Sequence, residues 1–208
     1  VLDYDQPLSL KEQENLLSAL FGDKVKKEKD VRVQYLIEGK VALLIKAVTY
    51  LGHPWESDKK RIQLSTDFQT QYLQNVRNGI STLFVGIYRY NDLRLYVVFE
   101  PGTYAVKKSH NSSAHVQTFD LQYALKAGIR EKEDAMQNIV RAMTEEKFKQ
   151  FVLDRLFLER NTRFHELRRM INEYFDAWVA SLPKKWYGIE CYKEMMESGD
   201  ENARQGEW

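Results

Sequence analysis

The sequence predicts an α/β fold of the α+β kind: a mixed or antiparallel sheet with flanking helices and a helical C-terminal region. Three observations carry this expectation. Runs rich in β-branched and aromatic residues recur at 31–37, 41–45, 83–90 and 93–99. Capped helical stripes alternate with them, at 10–21, 68–76 and 120–127. From Thr144 onward the apolar period is helical. The expected organisation is therefore a sheet-bearing unit at 1–143 followed by a helical subdomain at 144–208.

Taken in order, Ser9-Leu-Lys-Glu12 has the form of a capping box, in which hydroxyl and carboxylate each satisfy an amide left open by the first turn. Leu10, Leu16, Leu17, Leu20 and Phe21 form the apolar face behind it, and Gly22 is the terminator. Residues 23–30 are charged and linker-like. Two antiparallel strands at 31–37 and 41–45 would be joined by Glu38-Gly39-Lys40, although the apolar run from Val41 also fits the start of a buried helix. A loop at 52–58 precedes a short strand at 60–64. Thr66-Asp-Phe-Gln69 offers a second capping box for a helix carrying Phe68, Tyr72, Leu73 and Val76, stopped by Asn78-Gly79.

The runs at 83–90 and 93–99 flank Asn91-Asp92, residue types that tolerate the left-handed backbone of a tight hairpin turn. After Glu100-Pro101-Gly102 comes the polar run Lys107-Lys-Ser-His-Asn-Ser-Ser-Ala-His115, expected as a surface loop, and then a helix capped by Asp120 and ended by Gly128. Phe148, Phe151, Val152 and Leu156 make one helical stripe. Leu167, Met170, Ile171, Tyr174, Phe175, Trp178, Val179 and Leu182 make another, which fits core packing or the seam of a homodimer.

Composition narrows the function. Lys and Arg total 31 against 30 Asp and Glu, so the net charge of +1 supplies no global attraction to nucleic acid. Any such affinity must come from basic residues gathered on one face. No apolar run approaches the length of a membrane span, and the single Cys191 excludes an internal disulfide and a cysteine zinc cluster. The N-terminus has no secretory pattern, so a reducing cytoplasm is the expected compartment. No Gly-rich phosphate loop, nucleophile elbow or dinucleotide fingerprint is present.

The polar run combines ammonium groups suited to phosphate with Asn, His and Ser side chains able to donate and accept at base edges. On composition alone a solvated connection is the favoured reading. The stretch Phe84 to Ala124, with its Val-Gly-Ile-Tyr and Val-Phe strands and Lys-Lys-Ser-His-Asn-Ser-Ser-Ala-His-Val, together with Lys46-Ala-Val-Thr-Tyr-Leu-Gly-His-Pro54 and Lys59-Lys-Arg-Ile-Gln-Leu64, resembles a domain of bacterial type II restriction endonucleases and related restriction proteins. The resemblance covers about the central half of the chain. It implies double-stranded DNA as partner, with Lys107 and Lys108 on phosphates and His110, Asn111, Ser112, Ser113 and His115 reading bases or setting the loop.

Cleavage in such proteins commonly uses Mg²⁺ held by two carboxylates beside a lysine, the metal activating water and neutralising charge on the phosphate. Asp30 followed by Glu38-Gly39-Lys40 fits the linear form of an acid and then acid-x-Lys, with Asp30 and Glu38 as metal ligands. Glu-Gly-Lys is also a good tight turn. Asp92 with Glu100 is a second acidic pair, but Pro-Gly follows Glu100 where a lysine would be needed. For His110 and His115 to hold zinc, two further ligands would have to come from His53, His165 or distant carboxylates, so a pair of hydrogen-bonding histidines is the favoured reading. Three functions follow as alternatives: a Mg²⁺-dependent restriction endonuclease, a non-catalytic DNA specificity module, or an interaction protein using its C-terminal helices.

Overall fold

The computed structural model describes residues 8–28, 34–50, 58–101, 104, 112–135, 137–160, 167, 169–171 and 173–174. The α/β expectation holds. Strands β1 (Val25–Lys27), β2 (Gln34–Ile37), β3 (Val41–Ala47), β6 (Ser81–Tyr90), β7 (Leu93–Phe99), β9 (Ile129–Glu133) and β10 (Ile139–Met143) build a seven-stranded mixed sheet in the order β1-β2-β3-β6-β7-β10-β9. Only β3 and β6 are parallel neighbours in it. The crossover between them holds β4 (Thr49–Tyr50), β5 (Lys59–Leu64) and helix α2 (Thr66–Arg77). With β8 (Ser112–Gln117), β4 and β5 form a second, three-stranded antiparallel sheet.

Period-two alternation divides the core into two layers. One face of the large sheet presents Leu43, Ile45, Val85, Ile87, Tyr96 and Val98 to helices α1 (Leu10–Phe21) and α4 (Glu145–Arg160), which insert Leu17, Leu20, Phe21, Phe148, Val152 and Leu156. The other face presents Leu44, Phe84, Val97 and Phe99 to α2, to α3 (Thr118–Ala127) and to the inner side chains of the small sheet, Ile62, Leu64, Ala114 and Val116. Gly86 is what lets the small sheet sit so close, since a Cβ there would lie 2.5 Å from Val48 Cγ2 and 2.9 Å from Ile62 Cγ2.

The local signals hold where they use backbone chemistry. The Ser9 hydroxyl accepts from the Glu12 amide at 3.2 Å, and Glu12 accepts from the Ser9 amide at 2.8 Å. Asn91, at φ 50°, turns the β6–β7 hairpin, with Tyr90 paired to Leu93. Glu38 and Gly39 both take positive φ, as a primed hairpin turn demands, so 41–47 is a strand and not a helix.

Elsewhere the structure differs from expectation. The charged linker contains β1, an edge strand paired to β2. Helix α2 is capped from Ser65, without a side-chain hydrogen bond, and Gln69 is buried with its amide directed to the Tyr104 carbonyl. Helix α3 begins at Thr118, so Asp120 lies within its first turn and is buried. The last four residues of the expected polar loop, 112–115, belong instead to strand β8 (Ser112–Gln117). Strands β9 and β10 arise where no element was expected, because Ile-Arg-Glu-Lys-Glu has one apolar residue and forms a strand only by pairing with β10.

Glu12 also links the α1 cap to the sheet, its Oε1 lying 2.7 Å from Arg89 Nη1. The Ser9 amide, the Ser9 hydroxyl and the Arg89 guanidinium together hold its carboxyl down at about 2, against an ordinary 4.5. A depressed folded-state value gives stability that is present above the unfolded value and lost as pH falls through the folded one. Wild type should therefore exceed Glu12→Gln in urea midpoint at pH 6, with the gap closing as pH falls from about 5 toward 2. A constant gap across that range would remove the linkage.

Candidate nucleic-acid interface

Strand β5 runs antiparallel to β8, pairing Lys59 with Gln117, Lys60 with Val116, Arg61 with His115 and Gln63 with Ser113. Alternation then sorts the side chains. Ile62, Leu64, Ala114 and Val116 go inward, so Lys59, Arg61, Gln63, Ser113, His115 and Gln117 share the outward face, which has no carboxylate among them. Lys60 takes the opposite side, its Nζ 5.6 Å from the ring centroids of both Tyr50 and Tyr88. That contact ties the small sheet to β6 through cation–π attraction and removes Lys60 from the outward set.

The polar face continues onto the large sheet. Gln117 Oε1 accepts from Lys132 Nζ at 3.1 Å, and Lys132 and Arg130 both pair with the buried carboxylate of Asp120, Arg130 Nε at 3.4 Å. Arg130 also lies over the Tyr123 ring at 5.0 Å. Strand β9 divides its charges by period two: Arg130 and Lys132 face α3, whereas Glu131 pairs with Arg141 on the α4 side. A chain of nearly zero net charge thus acquires a basic strip from Arg61 to Arg130.

A cleft of about 580 Å³ separates β8 from the β9–β10 turn, lined by Lys59, Ser113, His115, Gln117, Lys132 and, on its far wall, Glu133 and Asp134. Asp134 is engaged internally, accepting from the Tyr104 hydroxyl, from the Asn138 amide at 2.9 Å and from Asn138 Nδ2. Burial, followed by the Asp134 hydrogen bond, pushes the Tyr104 phenol well above its ordinary value, so it remains a protonated donor. Tyr104 anchors the chain on one side of the polar run as β8 does on the other.

Of the DNA-binding residues expected from the sequence, Ser113 and His115 lie on the outward face, and Ser112 begins β8 opposite Leu64. Lys107, Lys108, His110 and Asn111 lie outside the described residues. Of the catalytic set, Asp30 lies outside them too. Glu38 sits in the β2–β3 turn and accepts from Arg160 Nε at 3.1 Å and Nη2 at 2.6 Å, and these bonds hold its carboxyl below the usual range. Lys40 Nζ donates to the Glu159 carbonyl at 3.5 Å. Both residues of the turn therefore fasten the end of α4. Glu100 is held by Arg141 at 2.6 Å and Arg155 at 3.3 Å, remote in role from Asp92 at the hairpin turn.

Among the described residues no group of three or more His, Cys, Asp or Glu is arranged to hold a metal ion. No helix among them is long and apolar enough to cross a membrane. Leu167, Met170, Ile171 and Tyr174 of the C-terminal stripe are exposed, and its remaining positions are outside the described residues. Sequence reasoning missed Arg130, Lys132 and Tyr123. The alternating signs of Arg130-Glu-Lys-Glu133 after the Gly128 stop were the available signal, since a strand there must part the two charges.

Comparison with known proteins gives one family. No curated protein and no solved structure matches the chain. The model of the methylase-associated X1 family, MTaX1, matches residues 39–152, more than half of the chain, from the β2–β3 turn through β3–β10 into α4. The resemblance to restriction proteins holds at that coarser level, an association with restriction-modification systems. The chain belongs to the methylase-associated X1 family.

Proposed function

We propose that this chain is a double-stranded DNA recognition module of a methylase-associated restriction system, gripping the duplex with the outward face of its small sheet and the basic strip beyond it. The observation that carries this is the sorting of Lys59, Arg61 and His115 onto one face of the small sheet, to which Lys132 is joined through Gln117, in a chain whose net charge is only +1. Lysine and arginine there meet phosphates and set the register, while Gln63, Ser113, His115 and Gln117 can reach base edges. Lys107, Lys108, His110 and Asn111, in the run between the Tyr104 and β8 anchors, add to the same contact set.

Fluorescence anisotropy with a labelled duplex across a salt series tests it. Each phosphate contact removed should lower the slope of log affinity against log salt by about 0.9. Lys59→Ala with Arg61→Ala, and separately Lys107→Ala with Lys108→Ala, should each weaken binding and flatten that slope. Retention and slope identical to wild type in both double variants would remove the interface.

Mg²⁺-dependent cleavage through Asp30, Glu38 and Lys40 is the finer form of this function. Recognition without cleavage by this chain is favoured here, because Glu38 and Lys40 are both engaged at the end of α4. Mixed plasmid and phage DNA, incubated with protein and Mg²⁺, should stay intact. Discrete fragments that vanish with Glu38→Gln, in a variant that still melts as wild type, would assign the cut to this chain.

A further inference from the structure

Helix α3 carries two aromatic rings that no core accounts for: Phe119 is 62% exposed and Tyr123, one turn later on the same face, 44%. Lys126 extends that face by a further turn, and Arg130 covers Tyr123 from β9. The single acid of the helix, Asp120, is turned inward and paired with Lys132 and Arg130. The ledge is joined directly to the basic strip, because the Thr118 amide donates to the Asp58 carbonyl at 2.6 Å, setting Phe119 beside the start of β5 at Lys59.

We infer that the Phe119–Tyr123 ledge is a stacking site for a nucleobase displaced from the duplex, so that this protein prefers DNA containing an unpaired or mismatched base. This rests on the DNA-recognition function proposed above and gives it a ligand state. The occupant follows from charge and shape together. An aromatic pair bordered by Lys126 and Arg130 suits the flat face of a base whose own backbone phosphates are negative. Base–aromatic stacking is tolerant of base identity, so the preference should follow the unpaired state more than the sequence. A base already unpaired spares the protein the unstacking energy, which is why such a duplex should bind more tightly than a fully paired one.

The test uses the full chain and three labelled DNAs with the same paired sequence: a fully paired duplex, that duplex with one extra bulged base, and the bulged duplex with 2-aminopurine as the bulged base. The bulged duplex should bind on the order of tenfold more tightly than the paired one. Phe119→Ala should erase that preference while leaving paired-duplex affinity within about twofold, and Phe119→Trp should restore it. Stacking should also quench 2-aminopurine fluorescence in wild type and not in Phe119→Ala. Equal affinity for paired and bulged DNA, or a preference that survives Phe119→Ala, overturns the stacking site alone. Failure to bind either DNA overturns the recognition function itself. A rise in mass with concentration by light scattering, abolished by Phe119→Ala, would instead give the ledge to a second copy of the chain.

Discussion

Phe148→Ala is expected to cost about 3–5 kcal/mol of folding stability, the largest loss foreseen for any single side chain here. Phe148 is fully buried, stacked on Tyr96 with ring centroids 4.4 Å apart and planes 3° from parallel, and it meets Phe21 edge-on at 6.2 Å. Truncation would remove the ring that joins α4, α1 and β7 in one layer and leave a cavity among groups that cannot easily close on it. For a chain of this size such a loss lowers the melting temperature by roughly 6–20 °C. Phe157, exposed on the same helix, is the control, and Phe157→Ala should stay within about 0.5 kcal/mol of wild type. The pair also tests the boundary expected at 143: one cooperative transition shifted by Phe148→Ala puts α4 thermodynamically within the sheet unit, whereas a loss below about 1 kcal/mol would mean loose docking.

Gly86→Ala is the second large effect, and its sign is the reverse of the usual one. Alanine in a strand interior is ordinarily worth about 0.5–1 kcal/mol over glycine, because glycine loses more backbone freedom on folding. At Gly86 the added methyl would fall inside the contact distances of Val48 and Ile62, both buried and both stiff at Cβ. Overpacking of this kind costs about 1–3 kcal/mol, so the steric loss wins. Strain enters between β6 and the small sheet, which ties the fold to its proposed work. Differential scanning calorimetry should show a lowered transition for Gly86→Ala and partial recovery when Val48→Ala is added. Two independent, additive losses would show that the methyl is accommodated elsewhere.

Local chemistry explains which parts of this fold were legible. The Ser9–Glu12 box, the Asn91-Asp92 turn and the Gly22 and Gly128 stops each depend on residues within a few positions of one another, and each stands as expected. Strand β9 could not be read in the same way. Its one apolar residue gives no period, and its existence comes from hydrogen bonds to β10. Glu38-Gly39-Lys40 carried two meanings in sequence, and distance in the chain hid the partner, since Arg160 lies 122 positions away from Glu38.

By itself the sequence determined the fold class, the Ser9–Glu12 helix cap, the hairpin turns at Glu38-Gly39 and Asn91-Asp92, and the need for any DNA-binding charge to be local. Only the tertiary structure decided where that charge collects. Side chains alternate across a strand, so pairing β5 with β8 and β9 with β10 selects every second residue of each run for one face. A linear string of lysines, arginines and glutamates contains no statement of which neighbour its strand will find.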